Sequence, residues 1–167
     1  MFAKIGSTLQ AAVNVVAPPC ARIDDFKYHW QQVLQECHRC QGGGQKQLVV
    51  SEETHAPRHL KEMLRVLVED TAEAPTGSTL TPCLEYIIQE KILVLLVSFA
   101  WSDRPLGIRQ YVYMFLSKVL QHLHHSYLHQ MKIHKPLQAM IKATCEKKAS
   151  PYENQEIEFL SIIWSPV

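Results

Sequence analysis

Residues 83–100 read CLEYIIQEKILVLLVSFA, and the fold turns on what this run is. Its apolar centre, Ile92–Trp101, is ten residues long, whereas a helix crossing a bilayer needs about 20. A run of that length and composition suits the buried middle of a central helix. Thr81-Pro82 precedes it, an N-cap residue followed by proline at the first helical position. One continuous helix from Pro82 to Ala100 is therefore predicted.

Working outward from this helix gives more of the same. On its C-terminal side, a turn at SDRPLG leads to Ile108, Tyr111, Val112, Phe115, Leu116, Val119 and Leu123 on one helical face. A sixth helix is predicted to open at Pro136, with Leu137, Met140, Ile141 and Thr144 in register. A seventh starts at SPYE, which reads as a capping box with Ser150 at the cap, Pro151 first and Glu153 third. Ile157, Leu160, Ile163 and Trp164 follow at helical spacing. On the N-terminal side, a third helix opens near Pro57. It carries Leu60, Met63, Leu64 and Leu67 inward and Glu62, Arg65 and Glu69 outward at ion-pair spacing. A second helix, DDFKYHWQQVLQECHRC, shows a Phe26, Trp30, Val33, Leu34, Cys37 stripe and stops at the QGGGQ glycines. The first places Phe2, Ile5, Leu9, Val13 and Val16 at steps of three and four. Strand alternation is almost absent. The expected fold is all-α, a helical-pair (armadillo/HEAT-like) solenoid fragment of about seven helices, although no fixed-period consensus repeat is seen. The expected organisation is a single α-helical domain over 1–167, with flexible loops at 42–56 and 71–80.

Composition narrows the function. The chain has 167 residues, enough for one domain with a real core, and is 47% hydrophobic. With 17 basic and 16 acidic residues its formal net charge is +1, which gives no electrostatic case for nucleic acid or an anionic membrane. Five scattered cysteines and no N-x-[ST] acceptor favour a reducing, cytosolic location over a disulfide scaffold. At the N-terminus, Gln10 and Asn14 interrupt the apolar centre a signal peptide needs, and Lys4 is the sole base before Arg22, too few for a transit peptide. A helix that docks its stripe on its own protein fits residues 1–17 better.

Two clusters could carry chemistry. CHRC places Cys37 and Cys40 in half of a zinc or redox motif, but no second C-x-x-C or H-x-x-x-H lies at ribbon distance. On a helix these residues share a face, so Cys37 reads as core and Cys40 as a partly exposed thiol. QHLHHSYLHQMKIHKP holds His122, His124, His125, His129 and His134. Continuing the fifth helix puts His122 on its apolar face, His129 near it and His125 at the edge. His125 and His129 have metal-ligand spacing, yet no acid or cysteine in the stretch completes or orients them. The bland reading is a helix C-terminus rich in His, followed by a turn into Pro136. No G-x-S-x-G elbow, kinase signature set or dinucleotide loop occurs. No catalytic residue, metal or cofactor is expected; a zinc- or thiol-dependent binding module using Cys37/Cys40 or the His122–His134 cluster is the alternative.

A family resemblance goes further. MFAKIGSTLQAAV, DDFKYHW, HLKEMLRVLVED, PCLEYIIQEKIL, PLGIRQYVYMFLSKVL, IHKPLQAMI and ENQEIEFLSII, in order over residues 1–163, resemble the N-terminal region of the FHIP family, the FTS- and Hook-interacting, retinoic-acid-induced-protein-like proteins. The resemblance implies an α-solenoid, non-catalytic adaptor in the complex with FTS and Hook proteins that joins vesicles or endosomes, through a Rab-type GTPase, to dynein. It implies protein partners and a cytoplasmic location, peripheral on vesicles or endosomes, without nucleic acid or an integral membrane segment. It transfers no site residues. It also makes His134 part of a turn entering the sixth helix. Family members are several times longer, and WSPV leaves the pattern where the helix would continue. The resemblance thus implies the truncated N-terminal part of a longer solenoid, with the Ile157–Trp164 stripe uncovered.

Overall fold

The structure, a computed structural model, describes residues 19–42, 53–75, 80–123, 127–146 and 150–165. These residues form seven helices: α1 (Pro19–Gly42), α2 (Ala56–Ala72), α3 (Pro82–Gln89), α4 (Ile92–Ser102), α5 (Ile108–His122), α6 (Met131–Glu146) and α7 (Glu153–Trp164). The predicted first helix, residues 1–17, lies outside the described residues. So does most of the two predicted loops, whose edges Gly42, Ala56, Thr71 and Ala72 are helical.

The fold is all-α, built of packed helix pairs. α1 lies along α2, antiparallel to it, with Arg22 at the start of α1 paired to Glu73 just past the end of α2. α4 and α5 form a second antiparallel pair, joined by a tight corner. α2, α5 and α7 pack side by side as one layer; α4 and α6 form the other, with His38 of α1 against the Phe99 ring of α4. The core is one cluster between the layers. Phe26, Trp30, Val33 and Cys37 enter from α1, Leu60, Met63, Val66 and Leu67 from α2, and Phe115, Leu116 and Val119 from α5. Each buried side chain of this size contributes about 1.5–3 kcal/mol, so the apolar stripes are what select this packing.

Four local expectations need correction. The central helix is not continuous: it breaks at Glu90–Lys91, where Lys91 adopts φ 54°, ψ 35°. The reason is the stripe itself. Leu84 and Ile87 are buried, and one unbroken helix would place Lys91 next on that face, where an ammonium without a partner is costly. The break leaves Lys91 exposed and lets Ile92, Leu93 and Leu96 resume burial. Second, Thr81 holds the extended N-cap backbone, but its side chain makes no cap bond and its hydroxyl is buried without a partner. The cap comes from α2 instead, through Asp70 Oδ2, which accepts the Cys83 N–H at 2.9 Å.

Third, the sixth helix opens at Met131, with Pro136 inside it. The Gln130 carbonyl accepts the N–H groups of Ile133 and His134, and buried Ile133 anchors that first turn. His134 is therefore a helical residue rather than part of an entering turn. Fourth, the seventh helix begins at Glu153 with Tyr152 at the cap position. Ser150 accepts the Tyr152 N–H at 3.2 Å and donates to Glu156 Oε1 at 2.8 Å. The reciprocal partner is thus Glu156, buried on the inner face, and not Glu153.

The α4–α5 corner also closes on polar groups. Asp103, in the left-handed region at φ 47°, accepts the Gly107 and Arg109 N–H groups on Oδ1 and the Tyr152 hydroxyl on Oδ2. Gly107 sits at φ 88°, a conformation open to glycine. Buried Arg109 runs back and donates to the carbonyls of Ala100 and Trp101, satisfying the exposed end of α4. One acid and one base therefore finish two helices and hold the start of a third.

Candidate functional site

The cysteine pair lies in the last turns of α1. Cys37 is fully buried and Cys40 half-buried, as their spacing predicts. Burial pushes the Cys37 thiol up to about 12, with the neighbouring Cys40 and Glu36 adding to the shift. Burial likewise raises Cys40. Both stay protonated near neutrality, the form that is weakly nucleophilic.

The histidines are dispersed. α5 ends at His122, because Leu123 turns to an extended conformation, so the extrapolated helix that aligned His125 and His129 does not form. His124 and His125 lie outside the described residues. His122 is half-buried, as expected, with Nδ1 3.1 Å from the Thr71 hydroxyl of α2. Burial, then Lys118, lowers its affinity for a proton. His129 is exposed in the turn before α6, and His134 is exposed on α6. Among the described residues, no three His, Cys, Asp or Glu gather into a group able to hold a metal.

A different histidine pair does form. His29 of α1 and His59 of α2 face each other at 2.8 Å between Nδ1 atoms, beside Tyr28. One neutral ring donates while the other accepts. Burial, and then the charge His29 would carry, lower the proton affinity of His59. Nothing in the sequence pairs these residues, which are 30 positions apart.

The feature most suited to binding is an apolar groove of about 610 Å³ at the end of the molecule where α5 and α7 finish and α6 begins. α6 leans on α4 and α7 on α5 more than either leans on the other, and the gap between them is the groove. Leu137 and Ile141 line one wall, Ile162 and Ile163 the other, with Leu120 and Leu123 along α5. Its polar members, Gln121, Gln138, His134 and Ser165, bring no formal charge when the histidine is neutral. Such a surface accepts the apolar face of a helix or an extended apolar segment. Its signal in the sequence is an excess of apolar residues. Beyond the single stripe that buries Phe159, α7 also carries Ile162 and Ile163, and α6 carries Ile141 beside Leu137.

No described helix is long and apolar enough to cross a membrane. The described residues thus form an all-α protein of packed helix pairs around one core. Its C-terminal half, residues 83–165, matches the family described as Retinoic acid induced 16-like protein. The chain belongs to this RAI16-like family, the name under which the FHIP proteins are grouped. No solved structure matches the chain.

Proposed function

We propose that the chain is a non-catalytic adaptor of the FHIP type, a subunit that joins FTS and Hook proteins and so links vesicles or endosomes to dynein. The observation that carries this reading is the RAI16-like match over residues 83–165, which spans the central break, the α4–α5 corner and both walls of the groove. The fold supports it: packed helix pairs offer broad side-chain surface for protein partners. A Rab-type GTPase is the expected third partner, placing the protein in the cytoplasm at the periphery of vesicles or endosomes. Affinity purification of the tagged full chain from cytosol, with mass spectrometry of what is retained, tests the reading. Hook and FTS proteins should be enriched over an unrelated helical control. Their absence, with the bait folded, would overturn it.

A further inference from the structure

We propose that the α6–α7 groove is the docking site of this chain's own N-terminal segment, residues 2–16. Position comes first. Arg22, in the first turns of α1, is paired with Glu73 just past the end of α2. Two residues earlier on that strand of contacts, Thr71 holds His122 at the end of α5, and the next residue, Leu123, lines the groove. The chain that precedes Pro19 therefore enters the fold at the same end of the molecule as the groove.

Reach and composition agree with this. Phe2 to Val16 is 15 residues, about 22 Å long as a helix at 1.5 Å per residue. Pro18 and Pro19 lack the amide N–H groups that would carry one helical hydrogen-bond ladder from this segment into α1. Phe2, Ile5, Leu9, Val13 and Val16 form one apolar stripe, matching a groove walled by Leu137, Ile141, Ile162 and Ile163. Polarity matches as well. Ser7, Thr8, Gln10 and Asn14 lie off the stripe, Lys4 is the one formal charge before Arg22, and the groove's polar members are uncharged amides, a hydroxyl and an imidazole. A tethered segment also has an advantage over any free partner, because a short linker holds it at an effective concentration in the millimolar range.

The test uses the full chain carrying a photo-crosslinking phenylalanine analogue in place of Val13, and a second version with the analogue in place of Leu9. Irradiation of dilute protein should give crosslinks within one molecule to residues 137–141 and 162–163. Leu9→Glu in the Val13 version should lower that yield by more than tenfold. The same Leu9→Glu change in the otherwise unaltered chain should raise amide exchange in residues 137–141 while leaving α1 and α2 unchanged. Crosslinks joining two molecules in proportion to concentration would assign the groove to a second copy and overturn the proposal. Crosslinks that avoid the groove, or yields indifferent to Leu9→Glu, would overturn it too.

Discussion

At the scale of single residues, the polar side chains that matter most are those that finish helices. Asp70 caps α3 from α2, Asp103 caps α5 and holds Tyr152, and Arg109 closes α4. The burial of Tyr152 and its bond to Asp103 push that phenol up to about 12, so it remains a donor throughout the neutral range. Ser150 makes two bonds at once, to the Tyr152 N–H and to buried Glu156. Ser150→Ala should therefore cost about 1–2 kcal/mol, from a lost cap and a buried carboxylate deprived of a donor. Glu153→Ala, at an exposed position, should stay within about 0.5 kcal/mol. Urea unfolding of both variants checks this; equal effects would show that the cap works as the sequence motif alone suggests. Two histidines make stability depend on pH. His59 and His122 both hold protons less tightly folded than unfolded, so the unfolded chain binds more protons as pH falls. Their contribution is fully present above the unfolded value of about 6.5 and is lost as pH falls through the lower folded values. The melting temperature should drop between pH 7.5 and pH 5, and His59→Gln should flatten part of that drop. A profile equally steep in the variant would remove His59 from the account.

At the scale of elements, what was legible in the sequence was the apolar stripe, and what was not was the device that starts or stops it. The stripes of α1 and α2 and the ion pairs from Arg65 to Glu62 and Glu69 follow directly from spacing. The break at Lys91 was hidden because the apolar run resumes at once on the far side, so that the interrupted stripe reads as one long helix. Pro136 misled in the opposite sense. Proline favours a helix start, but Ile133 already anchors the turn before it. The caps were illegible because their partners are remote: Asp70 acts 13 residues before Cys83. The groove was illegible because it belongs to the space between α6 and α7 rather than to either stripe. Two predictions belong here. Lys91→Gly should stabilise the chain by up to about 1 kcal/mol, since glycine adopts the left-handed conformation without the side-chain penalty; destabilisation on chemical unfolding would argue for a continuous helix. On α7, Phe159 is fully buried and Leu160 packs against the core, whereas Ile157 is 55% exposed. The stripe expected to be wholly uncovered is thus partly core. Phe159→Ala should cost about 3–5 kcal/mol, and Ile157→Ala should fall within about 0.5 kcal/mol, by denaturant midpoint. Similar losses from the two would mean that α7 does not present this face to α5.

At the scale of the whole molecule, two layers of helices share one core and leave an apolar groove where α6 and α7 part. The nearly balanced charge, +1 overall, gives the surface little long-range steering. Any partner recognition would then rest on shape and apolar contact. The RAI16-like match covers residues 83–165, the part of the chain that contains the groove. The proposed role makes a simple physical demand: the folded chain itself must hold FTS and Hook proteins, without other cytosolic factors. The most direct measurement is reconstitution from purified full chain, FTS and a Hook protein, followed by size-exclusion chromatography with light scattering, with circular dichroism confirming that the chain is helical. The account predicts a co-eluting complex with the summed mass of its members. Separate elution of a helical, folded chain, at concentrations where FTS and Hook proteins remain soluble, would contradict it.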